Sequence, residues 1–397
     1  MSNSTATELV LKSHYICPKA GNSLSEKLKD CYKQLDDTAI FPSNFKNTIV
    51  RQSIFISVSS DSEYLLIKQE LLECSNGFFE SLPPTSIIAQ APDNSPLMVE
   101  FTSIEDLTNQ EVEFKKNDKA SWLVVERCDS KMIFVAGLGE ASESTDILKQ
   151  STLAFESLES VLKAEDFAFC NIIRQWNYIE EIIKNVNHNN AISQHYQIFN
   201  DVRSKYYQKS NFTHGYPAAT GIGQAFGGIV IDAIAVKTTD ENSIIPIKSP
   251  LQLDAYSYSK EVLADNNKMS DFCRTSPKFE RAKLISTSEC KCIFVSGTAA
   301  IKGQTSIPEV SVRKQTEMTI QNILNLISNE NISKYGLCPT EKASLVSIRV
   351  YIKLPEDIAV VREICEQNFP QLPAIYLVAD ICRPELLVEI EGFATIA

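Results

Sequence analysis

The stretch "KLISTSECKCIFVSGTAAI" at residues 283–301 has the same pattern as residues 121–139, "SWLVVERCDSKMIFVAGLG", and this repeat is the main indication of the fold. Both stretches contain two strands rich in β-branched and aromatic residues, joined by a short polar turn. An amphipathic helical stretch follows each of them, at 147–165 and 310–330, and a further strand pattern follows each helix, at 167–179 and 342–354. This arrangement predicts a duplicated structural unit.

Each predicted unit has the order β-hairpin, helix, strand, helix, strand, and the second unit closes with a helix at 362–369 and a strand at 388–397. The sequence therefore predicts an α+β fold of two tandem units, each a mixed sheet with helices packed on one face. We expect a degenerate N-terminal domain at residues 1–200 and a C-terminal domain with pocket-forming inserts at residues 201–397. The first 45 residues are polar and predict only short strands.

The composition excludes several classes of partner. The chain has 397 residues, 44% of them hydrophobic, which is enough for a sizeable core, and its net charge is −12. This charge argues against nucleic acids and anionic membrane surfaces as main partners. No apolar run approaches the ~20 residues of a membrane span, and the first residues lack the pattern of an export signal. We therefore expect a cytoplasmic protein that binds a small molecule.

The cysteines predict neither disulfides nor a metal site. There are eleven of them, an odd number, without any CxxC pair, and the chain has only four histidines. Free thiols in a reducing compartment are the interpretation that follows. Cys290 and Cys292 form a C-x-C, which we interpret as two small strand residues rather than metal ligands.

A glycine-rich stretch at residues 214–228, "HGYPAATGIGQAFGG", resembles a phosphate-binding loop at first sight. It lacks the third spacing of the dinucleotide fingerprint, and a strand pattern, "IVIDAIAV", follows where a helix is required. The helix N-terminus that would bind the phosphate is therefore absent from the pattern. We predict a turn that leads into a strand buried on both faces.

Two carboxylates stand out near the end of the chain. Glu389 and Glu391 lie in the apolar stretch "LLVEIEGFATIA" at 386–397, where the strand period of two places both on one face. Such a face is costly to bury unless it meets a pocket or a partner. From these residues alone, a pocket and a solvated edge strand remain equally open.

The second half resembles the Rid (YjgF-like) family of small trimeric proteins. The resemblance rests on "FVSGTAAI" (294–301), "QTEMTIQNIL" (315–324), "IRVYIKLPED" (348–357) and "VADICRPELLVEIEGFATIA" (378–397). It implies that Glu389 faces a pocket between subunits. Rid imine deaminases carry an arginine after a Pro-Ala pair, whereas Ile375 follows Pro373 and Ala374 here. An imine or enamine deaminase, a small-ligand-binding protein and a catalytically idle trimer remain the alternatives.

The longer chain is similar to the chorismatases, which are duplicated Rid-like enzymes. Six motifs in the same order carry this resemblance: "RQWNYI" (174–179), "YPAATGIG" (216–223), "DAYSYS" (254–259), "SPKFERA" (276–282), "FVSGTAAIKGQ" (294–304) and "CRPELLVEIEG" (382–392). The resemblance implies cleavage of chorismate to pyruvate and either 3-hydroxybenzoate or 3,4-dihydroxycyclohexa-1,5-diene-1-carboxylate, without a cofactor. It implies either a homotrimer or a pseudo-symmetric monomer.

The resemblance also assigns roles to residues. Glu389 is expected to protonate the enolpyruvyl methylene, with Glu391 as a structural neighbour, and Cys382 points to the 3-hydroxybenzoate-forming branch. Ala299 and Ala300 lie where a glycine is expected for that branch. Arg174 and Arg203 are further candidates for a carboxylate. The expected substrate-binding residues are Arg281, Tyr216, Thr220, Arg349, Tyr376, Ala300 and Gly297.

Overall fold

The chain folds into three consecutive α+β units, each built on one main sheet. The computed structural model describes residues 11–37, 39–42, 45–105, 111–139, 146–188, 191–263, 274–287, 290–307, 311–338 and 340–397. We call residues 11–104 unit 1, residues 111–238 unit 2 and residues 244–396 unit 3.

Unit 1 contains a four-stranded sheet and two helices. Its elements are β1 (Leu11–Ile16), α1 (Leu24–Leu35), β2 (Ile49–Ile56), α2 (Asp61–Phe78), β3 (Thr85–Ile88) and β4 (Leu97–Ile104). The sequence "SIFISVSS" at 53–60 predicts a strand and overlaps β2, whereas "EYLLIKQELL" at 63–72, where α2 forms, predicts only a mixed segment.

Unit 2 contains a six-stranded sheet, a small two-stranded sheet and two helices. Its elements are β5 (Glu111–Lys116), β6 (Ser121–Glu126), β7 (Ser130–Leu138), α3 (Ile147–Ala164), β8 (Ile172–Glu180), β9 (Asn185–His188), β10 (Ala191–Gln194), α4 (His195–Tyr207), β11 (Ala218–Gln224) and β12 (Ile229–Thr238). The first eight residues of β12 are buried, which confirms the prediction of a strand covered on both faces.

Unit 3 contains a second six-stranded sheet, a two-stranded ribbon and four helices. Its elements are β13 (Ile244–Ile247), α5 (Lys260–Leu263), β14 (Ala282–Ser286), β15 (Lys291–Ala299), β16 (Ile301–Lys302), β17 (Thr305–Ser306), α6 (Val312–Leu326), α7 (Asn329–Ile332), β18 (Ala343–Ile352), α8 (Ile358–Asn368), β19 (Ala374–Val378) and β20 (Val388–Ile396).

All three units share one topology. The strand orders are β1-β4-β2-β3, β7-β12-β8-β11 and β15-β20-β18-β19, and the last two strands of each order are parallel while the others are antiparallel. Units 2 and 3 add the hairpin strands β6 and β14 at one edge. The two tandem units predicted from the repeat are thus present, and residues 11–104 add a third unit that shows no such repeat in sequence.

The predicted helices form where capping and periodicity favour them. In α3, the N-cap Asp146 accepts hydrogen bonds from the backbone N–H groups of Leu148 and Lys149, and in α6 the Ser311 hydroxyl accepts one from Lys314. Each helix buries one apolar stripe against its own sheet, so both follow the amphipathic pattern in the sequence.

The division of the chain at residue 200 stays a prediction, and strand pairing bears on it. Residue 200 lies within α4, between β8 and β11, which are neighbours in one sheet. Strand pairing therefore favours a boundary near residue 240, after β12. No helix among the described residues is long and apolar enough to cross a membrane.

The inner faces of the three sheets meet in one shared apolar core, whereas the helices lie outside. Buried strand residues of every unit contribute to this core, among them Phe55, Phe134 and Leu377. Each outer layer packs the helices of one unit on its own sheet. The units are therefore joined sheet to sheet around a central axis.

Buried ion pairs cross the axis and form what we call the central ring. They join Arg51 of unit 1 to Asp232 of unit 2 at 2.9 Å, Arg174 of unit 2 to Glu391 of unit 3 at 2.8 Å, and Arg349 of unit 3 to Glu100 of unit 1. All six residues are at most 4% exposed. Because every pair joins two units, displacing any unit would leave a buried charge unpaired.

Trp176 lies at the centre of the central ring. The guanidinium groups of Arg51, Arg174 and Arg349 lie 4.3, 4.5 and 5.2 Å from its ring centroid. Its indole Nε1–H donates to Glu391 at 2.7 Å. The motif "RQWNYI" therefore contributes to the centre of the molecule rather than to an open pocket.

Candidate active site

A cavity of about 450 Å³ lies between units 2 and 3. Its wall combines the start of α4, strand β11, residues 277–281, the β15–β17 region and residues 382–385 before β20. Of the predicted site residues, the structure places Glu389, Cys382, Arg281 and Gly297 in its lining. The volume is typical of a small-molecule site.

Glu389 projects from β20 into this cavity and is 4% exposed. Among the described residues, no hydrogen-bond or ion-pair partner lies within bonding distance of its carboxyl group. Burial, together with the negative charge of Glu391, raises the pKa of Glu389 to about 8, although Arg174 and Arg281 act in the opposite direction. Glu389 is therefore a neutral acid near pH 7, with a proton to donate.

Gly297 makes room for this carboxyl group. It lies where the pairing of β15 with β20 shifts register between Val295 and Thr298. A Cβ atom at residue 297 would lie 2.1 Å from Oε1 of Glu389, so only glycine allows the acid to occupy its position. Gly221 in β11 similarly makes room for the ring of Tyr196, which a Cβ would approach to 2.9 Å.

Glu391 has the opposite environment on the same face of β20. Its carboxylate accepts hydrogen bonds from Trp176 at 2.7 Å, Thr220 at 2.5 Å and Tyr351 at 3.2 Å, and pairs with Arg174. Burial acts to raise the pKa of Glu391, but Arg174 and the hydrogen bonds outweigh it, and the pKa is lowered. Glu391 is thus ionised and held in the central ring.

Four arginines line the cavity and lack a carboxylate partner among the described residues. Arg281 donates to the Leu253 carbonyl and the Tyr258 hydroxyl, and Arg203 donates to Asn200. Arg274 and Arg383 are held by backbone carbonyls and by Ser306. Hydrogen bonds to neutral acceptors orient these cations without neutralising them, so the cavity is positively charged in an acidic protein.

Cys382 and Tyr196 lie beside the acid. Burial raises the pKa of the Cys382 thiol to about 12, so the group is a neutral thiol rather than a thiolate. Burial also raises the pKa of Tyr196, whose side chain is hydrogen-bonded to Asn200. Both groups therefore offer neutral donors next to Glu389.

Thr220 and Tyr216 do not line the cavity. The Thr220 side chain is 1% exposed and is directed at Glu391 and Arg174. Tyr216 stacks on Tyr207, and its backbone N–H donates to Glu280. Residues 219 and 221 of β11 line the wall instead, because alternate residues of a strand face opposite sides.

The structure also places Arg349, Tyr376 and Ala300 away from the cavity. Arg349 belongs to the central ring, where it pairs with Glu100 and is buried. Tyr376 packs under Arg362 at 4.1 Å on the outer side of unit 3. Ala300 is fully buried, and Ala299 lines the wall.

Four residues of the cavity wall have no role predicted from the sequence: Arg203, a candidate for a carboxylate without an assigned role, and Arg274, Arg383 and Tyr196. Arg203 and Tyr196 lie in α4, and Arg383 lies in the loop before β20. The "CRPELLVEIEG" motif does contain Arg383, next to Cys382, which was a usable signal. The others have no local pattern that distinguishes them from ordinary polar residues.

The acid occurs once among the three units. In unit 3, Glu389 pairs with Ala299 and lies two residues before Glu391, the acid of the central ring. In unit 2, Val230 lies two residues before the corresponding acid, Asp232. In unit 1, Met98 stands two residues before Glu100. Each unit thus contributes an acid to the central ring, but only unit 3 carries a second acid on the same face.

Comparisons with known proteins agree with this architecture. Residues 107–235 match the family described as "Chorismatase FkbO/Hyg5-like, N-terminal", and residues 286–396 match the family "Endoribonuclease L-PSP", the Rid/YjgF domain type. A crystal structure of a chorismatase covers 98% of this chain and 99% of its own, with a TM-score of 0.67 at 19% identity. The tandem Rid-like fold is confirmed.

Two curated relatives come from Streptomyces. A 3-hydroxybenzoate synthase of Streptomyces hygroscopicus is 32% identical over 236 residues, which are 57% of this chain and 64% of that protein. A chorismatase of Streptomyces rapamycinicus is 33% identical over 180 residues, which are 44% of this chain and 50% of that protein. The chain thus spans between half and two thirds of these relatives, and the predicted resemblance to chorismatases is confirmed.

Proposed function

We propose that this protein cleaves the enolpyruvyl ether of chorismate and releases pyruvate together with a ring carboxylic acid. One observation carries the proposal: a single buried carboxyl group, Glu389, has a pKa raised to about 8 in a cavity lined by four arginines. A dianionic substrate that must be protonated on carbon requires this combination of cations and a neutral acid.

In the first step, Glu389 donates its proton to the vinyl methylene carbon of the substrate. The new C–H bond forms from the electron pair of the double bond, which leaves an oxocarbenium centre and the Glu389 carboxylate. This negative charge lies close to the developing positive charge and stabilises it. Because the cavity is closed to much of the solvent, the electrostatic interaction is stronger than it would be in water.

In the second step, an oxygen nucleophile attacks the oxocarbenium carbon, and Glu389 takes up the proton that is released. With water as nucleophile, collapse of the hemiketal breaks the ether and yields pyruvate and the dihydroxycyclohexadienoate. With the neighbouring ring hydroxyl as nucleophile, the attack forms a cyclic ketal. Loss of the ring proton at the ether-bearing carbon then breaks the ring C–O bond of the attacking oxygen and makes the ring aromatic, and collapse of the remaining hemiketal breaks the former ether bond, which yields pyruvate and 3-hydroxybenzoate without net uptake of water. We favour 3-hydroxybenzoate, because Cys382 and the relative named 3-hydroxybenzoate synthase support it.

Arginines are suited to the two carboxylates of the substrate. Arg281 is 2% exposed, is held rigidly by Leu253 and Tyr258, and lies near enough to Glu389 to lower its pKa. Arg203 is 1% exposed, and within the described part of the chain its Nε has no hydrogen-bond partner. Such preorganised guanidinium groups bind carboxylates in a bidentate manner. We assign one substrate carboxylate to each of these two arginines.

We further propose that the protein works without a cofactor, as a pseudo-symmetric monomer in the cytoplasm. The central ring closes within one chain, which supports the monomer over the homotrimer. All ten described cysteines are free, which supports a reducing compartment. Sedimentation velocity at several protein concentrations distinguishes one chain from three.

The deaminase alternative has no support in this geometry. Ile375, at the position where Rid deaminases carry an arginine, is fully buried in the core shared by the three units. The cationic groups of the cavity come from other elements. No contact in the described residues favours an imine substrate over chorismate.

The purified protein, incubated with chorismate, tests the proposal. Pyruvate is followed with a coupled lactate dehydrogenase assay, and the ring product is identified by chromatography and mass spectrometry. We expect pyruvate and 3-hydroxybenzoate in equal amounts. No pyruvate would contradict the proposed function, and the dihydroxycyclohexadienoate would contradict only the product assignment.

A further inference from the structure

We propose that Thr220 is a positioning residue that couples the central ring to Glu389. The inference rests on the proposed function and goes beyond it, because Thr220 touches neither the cavity nor the reacting atoms. Instead, its two side-chain branches lie between the two carboxyl groups of β20. Its role is to keep Glu391 ionised and to hold Glu389 in place.

The hydroxyl branch of Thr220 holds Glu391. It donates to Oε2 of Glu391 at 2.5 Å and accepts from Nη2 of Arg174 at 2.7 Å, and this nitrogen itself lies 2.8 Å from the same oxygen. The three groups form a closed triangle, in which each polar atom contacts the other two. A triangle of this kind favours the ionised form of Glu391, because Thr220 and Arg174 both act as donors to it.

The same hydroxyl reaches the backbone beneath Glu389. It accepts a hydrogen bond from the N–H of Gly297 at 3.1 Å. A Cβ at residue 297 would lie 2.1 Å from Oε1 of Glu389 and 3.1 Å from Cγ2 of Thr220, so the acid and the Thr220 methyl group lie side by side above this glycine. Thr220 therefore fixes the backbone on which the acid rests and fills the space beside it.

The chemical consequence concerns the protonation of Glu389. The charged or titratable groups next to this acid are Glu391 from its own strand, Arg174 from β8, Arg281 before β14, Cys382 from the preceding loop and Tyr196 from α4. Arg203, Arg274, Arg383 and Glu385 line the same cavity. Among the charges that shift the pKa of Glu389, only Glu391 is an anion. A firmly ionised Glu391 favours the protonated form of Glu389, because two adjacent carboxylates repel each other.

Two substitutions separate the two branches of Thr220. Thr220→Val keeps the shape and removes the hydroxyl, whereas Thr220→Ser keeps the hydroxyl and removes the methyl group. Thr316→Val is the matched control, since the hydroxyl of Thr316 is equally buried in α6 and bonds only to the Val312 carbonyl. We measure kcat, KM and the pH dependence of kcat for pyruvate release.

We expect Thr220→Val to lower kcat roughly 10- to 100-fold, with KM changed less than about twofold. The basic limb of its pH profile should move by about one pH unit toward lower pH, because a less firmly ionised Glu391 repels the Glu389 anion less. Thr220→Ser should restore the position of the basic limb, and Thr316→Val should leave all three parameters unchanged. A loss of stability alone would lower activity without moving the limb.

Two results would overturn the inference. One is a Thr220→Val enzyme whose basic limb does not move, whether or not its kcat falls. The other is a change confined to KM, which would make Thr220 a substrate-binding residue instead. If the wild-type protein releases no pyruvate, the proposed function fails but the coupling can still be measured. Infrared difference spectra then report the protonation of Glu389 directly, when the wild type and Thr220→Val are each compared with the same protein carrying Glu389→Gln. Thr220→Val must lower the pH at which half of Glu389 is deprotonated.

Discussion

Glu389 and Glu391 lie two residues apart on one face of β20, yet one carboxyl group is neutral and the other is ionised. Glu391 has three hydrogen-bond donors and the Arg174 guanidinium around it, whereas Glu389 has none of these contacts and faces a cavity. Burial raises the pKa of Glu389 to about 8, while the surrounding donors lower that of Glu391. Two carboxyl groups whose environments separate their pKa values are characteristic of acid–base sites.

We expect Glu389→Gln to reduce kcat by at least roughly 10²–10⁴-fold, the usual contribution of a general acid, with little change in KM. In the wild-type enzyme, kcat should be constant below pH about 8 and fall above it, because the active form carries the proton. A stopped-assay pH profile of pyruvate release checks both. A Glu389→Gln enzyme with full activity would contradict the assignment.

Glu389→Gln should gain stability relative to the wild type as the pH rises. The pKa of Glu389 in the folded state, about 8, lies above the ordinary value of 4.5, so the folded state keeps a proton that the unfolded state releases. The wild type therefore loses stability as the pH rises from about 4.5 to about 8, by roughly 2–4 kcal/mol. In urea unfolding at pH 5 and pH 8.5, the free energy of unfolding of Glu389→Gln should rise relative to that of the wild type only at the higher pH.

We expect Gly297→Ala to abolish most of the activity while the protein still folds. The added methyl group would lie 2.1 Å from Oε1 of Glu389 and must displace the acid. Loss of the aligned acid should cost about as much as its removal, roughly 10²-fold or more in kcat. Gly77→Ala is the matched control, because a Cβ there meets nothing within 4 Å. Equal activity of the two variants would contradict the position of Glu389.

Arg281→Lys should raise KM for chorismate by roughly 10- to 100-fold, because lysine lacks the planar fork that binds a carboxylate in a bidentate manner. Arg313→Lys serves as its control, since Arg313 forms an exposed ion pair with Glu363 on the outer helices. Steady-state kinetics of pyruvate release distinguish them. If kcat alone falls in Arg281→Lys, the residue acts on the chemical step rather than on binding.

Arg51→Met should destabilise the whole chain. It leaves Asp232 buried without its guanidinium partner, which typically costs about 3–5 kcal/mol. Lys12→Met, which breaks the exposed ion pair with Glu105, should cost less than about 1 kcal/mol. The free energies of unfolding, measured in urea by circular dichroism, check the difference. Similar values would show that the central ring does not hold the units together.

The repeat in the sequence predicted the architecture of units 2 and 3 well, including α3, α6, β8, β12 and β20. It did so because amphipathic helices and apolar strands have periods that depend on neighbours along the chain. Unit 1 was not predicted, although it has the same strand order. Its helix α2 has a weak apolar periodicity, with only three buried residues among eighteen.

Position on a strand did not decide which of the predicted site residues lie at the cavity, since Cys382 and Arg281 line it from outside the strands. Glu389, Cys382, Arg281 and Gly297 line the cavity, but Thr220 faces the opposite side of β11. An arginine pattern does not tell whether its partner is a ligand or a carboxylate from another unit. That choice depends on contacts between residues more than a hundred positions apart, which no local pattern records.

Local sequence was enough to predict most strands and helices of units 2 and 3, and to place Glu389 and Glu391 on one face, because the alternation of side chains is a property of the local backbone. Only the tertiary structure decided that Glu391 meets Arg174 and Trp176 of unit 2, whereas Glu389 meets a cavity. Charge and desolvation depend on which groups from distant segments approach, and packing of the three sheets brings those groups together.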